Sequence, residues 1–126
     1  SVSFGRSLQV PKIITLPWVF GFDGWTVGPY LIFVKPGVSN ALIQHEICHT
    51  EQMKRDGWLR WAWRYNTSKA WRRYYEAYAY ARQVASGADL ATCAWWLAER
   101  YNLDISVMAA ESLIKECLTN SVPQPT

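Results

Sequence analysis

The pentapeptide His45-Glu46-Ile47-Cys48-His49 contains the residue types that a zinc-dependent hydrolase needs. Its two histidines are the only ones among the 126 residues of the chain, and a glutamate directly follows the first. On a helix, residues four apart share one face, so both imidazoles can bind one ion. Glu46 is turned about 100° from His45 and flanks the ion as a general base. The alternative is a histidine pair on an amphipathic helix without a metal, but the full motif favours the metal site.

A catalytic zinc ion usually takes three protein ligands and leaves its fourth position to water. The chain has no third histidine. A metzincin motif would place a glycine and a histidine further along the helix, but Gln52 and Arg55 stand at those positions. The sequence therefore excludes the metzincin pattern, and the third ligand must be a carboxylate or a cysteine.

Glu76 is the residue that we expect to complete this site. It is the only acid between Gly57 and Ala88, and the small residues around it permit a close approach of two helices. Glu51 projects about 200° away from His49 on the same helix and is poorly placed. The alternative for Glu76 is an exposed helical glutamate. Weaker ligand candidates are Asp89 and Cys48, and Asp56 at the helix end is poorly placed.

Strands are predicted in the first third of the chain. Residues 12–16 and 30–35 are β-branched and apolar, and residues 18–20 form a short third candidate. Proline and glycine residues at 17 and 21–24 separate them as turns. We expect a small antiparallel or mixed sheet from these segments.

Four helices are predicted after the Pro36-Gly37 break. The first carries the histidine motif, begins at Ser39 or Asn40 and ends near Arg55, before a glycine. The others show N-cap residues or apolar positions three and four apart. They are expected at 68–86, where Glu76 lies, at 89–101 and from 103 to about 117. The predicted fold is therefore α+β, in one domain over residues 1–126.

Composition narrows the class of protein. Half of the residues are apolar and 18% are charged, a balance typical of a globular chain and not of a disordered one. No apolar stretch approaches about 18 residues, so no transmembrane segment is predicted, and no secretory leader is visible. The three cysteines are odd in number and lack metal-ligand spacing, which argues against a disulfide framework. We expect a soluble protein.

The chain resembles the zincin-like metallopeptidases of the gluzincin type, and more narrowly the small zincin-like domains found in phage genomes and near contractile injection systems. The matching segments are His45 to Trp58, Trp63-Arg64-Tyr65 and Glu76-Ala77-Tyr78-Ala79. The resemblance implies a zinc ion held by His45, His49 and Glu76. It also implies hydrolysis of a peptide bond or peptidoglycan cross-link by metal-activated water, with Glu46 as general base. The sequence does not identify the compartment, and a cytoplasmic and a virion-associated location both remain open.

The same resemblance implies a donor for the oxyanion and a strand for the substrate. Tyr80 and Arg73 lie four and three positions from Glu76, and we expect one of them to be the donor. Residues 30–35 resemble the strand that zincins place at the sheet edge beside the cleft, where an extended peptide can pair with it. The alternative is that residues 30–35 form a core strand.

Residues 54–73 combine seven basic residues and a single acid with four of the eight tryptophans. Such a segment could bind an anionic polymer or surface. Alternatively, the tryptophans pack the second helix onto the sheet while the arginines extend into solvent. No nucleic-acid-binding motif accompanies the segment, so we do not expect nucleic acid as a partner.

Two alternatives to an enzyme remain open. The first is a non-catalytic zincin-like component of a phage or injection-system particle, and the second is a basic and aromatic binding module. The intact Glu46 favours the enzyme, because a structural zinc ion needs a fourth protein ligand and no general base. A domain of this size leaves little room for a second lobe, so we expect other proteins of a larger assembly as partners.

Overall fold

The structure is a computed structural model that describes residues 10–16 and 23–126. The predicted strand at 18–20 lies outside these residues. The described residues form three strands, β1 (Lys12–Thr15), β2 (Gly24–Thr26) and β3 (Leu31–Val34), followed by five helices. The helices are α1 (Asn40–Asp56), α2 (Trp58–Thr67), α3 (Lys69–Ala85), α4 (Leu90–Arg100) and α5 (Val107–Leu118). The predicted α+β class is confirmed.

The sheet has the strand order β1-β3-β2 and is mixed. β3 pairs parallel with β1 and antiparallel with β2. Its Ile32 and Val34 side chains are buried, and α1 packs against both β2 and β3. The expectation of an edge strand at 30–35 is therefore wrong, because β3 has a partner on each side. A continuous apolar run of this kind is typical of a central strand.

α1 begins and ends at the signals read from the sequence. The Ser39 hydroxyl accepts a hydrogen bond from the N–H of Leu42 at 3.1 Å. Gly57 has a φ of 89°, which few residues other than glycine adopt, and its N–H bonds to the carbonyl of Met53 at 2.9 Å. This turn lets α2 start directly after α1. The sequence did not predict α2 as a separate helix.

α3 packs against α1 on one side and against α4 and α5 on the other. Ser68 caps its start by accepting from the N–H of Trp71 at 3.2 Å. α5 starts later than predicted, at the N-cap Ser106, because Asn102 and Asp104 have positive φ values that a helix does not allow. Buried small and apolar residues fill the space between α3, α4 and α5, and they include Ala77, Ala81, Ala94, Leu97, Ala110 and Ile114. None of the helices described is long and apolar enough to cross a membrane.

Candidate metal centre

His45, His49 and Glu76 meet between α1 and α3. Oε1 of Glu76 lies 3.1 Å from Nε2 of His45 and 3.2 Å from Nε2 of His49. All three side chains are buried, and one ligand atom from each lies within 4.8 Å of the others. The structure therefore brings together the three residues that the sequence predicted as metal ligands.

The separations between the Glu76 carboxylate and the two imidazoles suit one small ion. Two ligand atoms at about 2.0 to 2.1 Å from a tetrahedral zinc ion are about 3.3 to 3.4 Å apart. The two distances from Oε1 of Glu76 to the imidazole nitrogens are only slightly shorter. Two imidazoles and one carboxylate are a ligand set used by catalytic zinc, and they leave one position for water. The residues present could therefore hold a metal ion, and zinc is among the ions that use this ligand set.

Charge holds the three side chains together. Burial alone lowers the pKa of His49, but the carboxylate of Glu76 outweighs it and raises the pKa to about 9. Burial alone raises the pKa of Glu76, but the charge of His49 and the hydrogen bonds from both histidines bring it well below its usual range. Glu76 is therefore ionised at neutral pH, as a metal ligand must be.

Glu46 lies beside this triad and is positioned by β2. The hydroxyl of Thr26 donates to Oε1 of Glu46 at 2.7 Å, while Oε2 lies 3.9 Å from Nε2 of His45. Gly24 permits the close approach of β2, since a Cβ atom there would lie 3.2 Å from Cγ of Glu46. One carboxylate oxygen is thus held, and the other faces the histidines as a general base should.

Tyr65 of α2 donates a hydrogen bond to Oε2 of Glu76. The two carboxylate oxygens of Glu76 therefore have separate partners, the histidines on Oε1 and the phenol on Oε2. Burial, and then the negative charge of Glu76, raise the pKa of Tyr65 well above its usual range, so the phenol keeps its proton. Its ring stacks on Trp61 with 4.7 Å between centroids. The sequence assigned no catalytic or metal-site role to Tyr65.

Gln52 fixes the orientation of His49. Its Oε1 lies 3.0 Å from Nδ1 of His49 and accepts from the indole N–H of Trp61 at 3.2 Å. Its amide nitrogen donates to the carbonyl of Tyr75 at 2.9 Å. Because an indole nitrogen only donates, the amide oxygen must face Trp61, and Nδ1 of His49 carries the hydrogen. Nε2 is then the nitrogen available to an ion. The spacing of three from His49 could have identified Gln52.

The two predicted oxyanion donors lie in different environments. Arg73 is exposed on α3 and is not among the described residues that line the cavity over the triad. Tyr80 is buried with its ring edge-on to His45, at 4.4 Å between centroids. Its hydroxyl lies 2.7 Å from that of Tyr101, and Tyr101 lines the cavity. The sequence gave no reason to select Tyr101.

The weaker ligand candidates have other surroundings. The carboxylate of Asp89 caps α4 by accepting from the N–H of Thr92 at 2.9 Å. Cys48 is buried, and this burial raises the pKa of its thiol to about 12. Neither residue belongs to the group of ligand atoms that converge with His45 and His49.

A cavity of about 300 Å³ opens over the triad. β2 forms one wall and α2 the opposite wall, with the histidines, Glu46 and Glu76 also lining it. The aromatic residues in the lining are Trp25, Trp61, Tyr65 and Tyr101. The cavity therefore combines a polar centre with flat apolar walls, as many small-molecule and peptide sites do.

Comparison of the chain with protein-family models, with curated proteins and with solved structures gives no match in any of the three cases. The geometry of the buried triad and its neighbours is therefore what supports a function.

Proposed function

We propose that the protein is a zinc-dependent hydrolase of peptide bonds, with a zincin-like fold of the gluzincin type. The observation that carries this proposal is the convergence of His45, His49 and Glu76 on one point, with Glu46 held beside them. Each has a distinct task, because three residues supply ligand atoms and the fourth presents a free carboxylate oxygen. A purely structural zinc site would have no use for Glu46.

Zinc bound there would polarise a peptide carbonyl and lower the pKa of water toward about 7. Oε2 of Glu46 takes the proton of the attacking water and returns it to the leaving amine. The hydrogen bond from Thr26 to Oε1 keeps the carboxylate in one orientation during both transfers. Thr26 is therefore a positioning residue in this proposal.

Tyr101 is the donor that we assign to the developing oxyanion. Tyr101 lines the cavity, and its hydroxyl lies 2.7 Å from the hydroxyl of Tyr80. If the Tyr80 hydroxyl donates to the oxygen of Tyr101, the proton of Tyr101 stays free to bond a group in the cavity. Burial raises the pKa of both phenols, which keeps them protonated donors. Tyr80 then acts through Tyr101 and does not touch the substrate.

β2 is the strand that we expect to bind the peptide. The N–H of Lys35 bonds to the carbonyl of Asp23, and the N–H of Val27 bonds to the carbonyl of Leu31. Hydrogen-bonded pairs alternate in an antiparallel ladder, so the peptide groups of Gly24 and Thr26 point away from β3. Both residues line the cavity, and an extended peptide can pair with them there. The aromatic walls would favour large apolar side chains.

The test of this proposal measures zinc content and hydrolysis of a peptide library together. Wild-type protein should bind one zinc ion and cleave peptides with aromatic or aliphatic residues at the cleavage site. Glu46→Gln should keep its zinc and lose activity by about 10²- to 10⁴-fold. Glu51→Gln is the matched control, since this glutamate is exposed on the same helix. Failure of the folded wild-type protein to bind zinc, or full activity in Glu46→Gln, would overturn the proposal.

Thr26 offers a second comparison that separates positioning from packing. Thr26→Val keeps the shape of the side chain but removes the donor to Glu46. It should lower kcat by about tenfold, while Thr26→Ser keeps the hydroxyl and restores most of the rate. Equal rates in the two variants would remove the positioning role and leave the role of Glu46 intact.

A further inference from the structure

α2 has an apolar outer face with no partner in the described part of the chain. The helix has no fully buried residue, although it contains three tryptophans and a leucine. Trp61 turns inward to the cavity, whereas Leu59 and Trp63 are 73% and 71% exposed. These two side chains are four residues apart and lie on one face of the helix. Half-exposed Trp58 precedes Leu59 and lines a surface groove together with half-exposed Tyr30, and these four residues are called the α2 patch.

The chain segment that contains α2 is rich in basic residues, although one of them, Lys69, pairs with Asp104. Residues 54–73 carry seven basic residues, and their only acid is Asp56. The Asp56 side chain is 6% exposed, because it accepts hydrogen bonds from Arg55 and from the hydroxyl of Tyr75. Arg60 directly follows Leu59, is exposed and forms no ion pair with a described residue. The charge that this segment presents to solvent is therefore positive and suits an anionic partner.

We propose that the protein binds the surface of an anionic lipid bilayer through the α2 patch. In this arrangement α2 lies in the plane of the interface. Leu59 and Trp63 enter the boundary between headgroups and acyl chains, and Arg60 contacts lipid phosphates. Helices that lie in a membrane interface combine these residue types, with leucine and tryptophan on one face and basic residues beside it.

The shape of the patch favours a bilayer over the other anionic partners. A nucleic acid would use arginines and flat aromatic rings, but it gains little from an exposed leucine. A stable protein interface buries about 800 Å² per partner, more than a few side chains on one short helix provide. A bilayer needs no shape complementarity and gains from each apolar side chain that leaves water.

Binding through the α2 patch would also determine where the cavity lies relative to the membrane. Tyr65 and Asn66 of α2 line the cavity, and Asn66 lies three residues after Trp63 on the helix. A bilayer in contact with Leu59 and Trp63 would therefore lie next to the cavity mouth. Binding to the membrane does not depend on the metal site, so it can be tested without an activity assay.

The experiment is co-sedimentation of the full chain with phosphatidylcholine vesicles, with and without phosphatidylglycerol. The wild-type protein should bind the anionic vesicles, and added salt should weaken binding. Leu59→Gln and Trp63→Gln should each weaken it by about tenfold, because each removes one inserted apolar group. Met108→Gln on α5, at a residue 82% exposed, and Trp95→Gln on α4 are matched controls that should bind as wild type does.

Three results would overturn the proposal. The first is the absence of binding to anionic vesicles at low salt, and the second is equal binding by the α2 variants and the controls. The third is binding to heparin that exceeds vesicle binding and is unchanged by Leu59→Gln, because this would identify an anionic polymer as the partner. Circular dichroism and zinc content show whether each variant is folded, and Trp63→Phe, which keeps an inserted aromatic ring, should retain most of the binding.

Discussion

The substitution Glu76→Gln separates the charge of the proposed third ligand from its shape. The side chain is buried and accepts hydrogen bonds from His45, His49 and Tyr65. Glutamine has nearly the same volume but only one oxygen and no negative charge. The single amide oxygen cannot accept hydrogen bonds from both the histidines and the phenol of Tyr65. One of these partners therefore faces the NH₂ group of the glutamine. We expect the variant to fold and to bind zinc far more weakly.

The size of the effect follows from linkage. Zinc at one hundred times its Kd stabilises the folded protein by about 2.7 kcal/mol. An unfolding entropy of about 2.1 cal/mol/K per residue gives about 260 cal/mol/K for 126 residues. The zinc-dependent rise in Tm is therefore about 10 °C for the wild type. If Glu76→Gln weakens zinc binding by about 100-fold, the gain at the same zinc concentration falls to about 0.4 kcal/mol, or about 1.5 °C.

The assay is thermal unfolding followed by circular dichroism, with zinc and with chelator for each variant. The difference between the two melting temperatures removes any effect of the substitution on the metal-free fold. Glu51→Gln is the control, because Glu51 pairs with Arg82 at the surface of α1 and should keep the full shift. A Glu76→Gln protein with the wild-type zinc shift would refute the assignment of Glu76 as a ligand.

Three further predictions concern protons and the residues that support the site. Zinc binding should release about one proton per ion at pH 7, because Glu76 raises the pKa of His49 to about 9 and the ion displaces that proton. The apparent affinity for zinc should therefore rise with pH up to about 9. Calorimetry in buffers of different ionisation enthalpy counts the released protons, and a count of zero would contradict this prediction. Gln52→Met should lower zinc affinity by about 10- to 100-fold in a chelator competition, because His49 loses the acceptor that orients it, and an unchanged affinity would exclude that role. Burial raises the pKa of Asp56, but the hydrogen bonds from Arg55 and Tyr75 and the charges of Arg55 and Arg64 together outweigh it and lower the pKa overall. The ionised carboxylate therefore stabilises the fold above its unfolded pKa of about 3.9, and this gain is lost as pH falls. Asp56→Asn should lower the free energy of unfolding by about 1.5 kcal/mol at pH 7. Urea titrations at a series of pH values should also show a weaker loss of stability in acid than in the wild type. A loss as steep as in the wild type would contradict the role of the ionised Asp56 carboxylate.

The sequence predicted α1, α3 and the triad because local signals encode them. Ser39 and Gly57 bracket α1, and their capping geometry is formed by residues within one turn. Two histidines four apart need only the helical period to meet at one ion. Glu76 could be chosen because it is the only acid between Gly57 and Ala88. Its position opposite α1 then follows from the close packing of α3 on α1.

β2 and α2 were not predicted because the contacts that stabilise them come from residues distant in the sequence. β2 is three residues long, begins at a glycine in a turn-rich segment, and is stabilised by its ladder with β3. α2 is rich in tryptophan and tyrosine, whose helical preference is weak, and its place is fixed by stacking between Trp61 and Tyr75. Helical spacing put Tyr80 near Glu76, but it could not show that the cavity is lined by Tyr101, a residue just after α4.

The two faces of α3 bury different kinds of residue. Towards α4 and α5, Ala77 and Ala81 of α3 are buried in a core of small and apolar residues. Towards α1, the same helix buries Glu76, where an apolar side chain would stabilise the fold more directly. An ion bound by His45, His49 and Glu76 would link α1 to α3 at this point. The free energy of metal binding would offset the cost of burying these polar groups. Metal binding would therefore be coupled to the packing of these helices, and in the metal-bound protein we expect removal of the ion to loosen the cavity wall that α2 and Tyr65 complete.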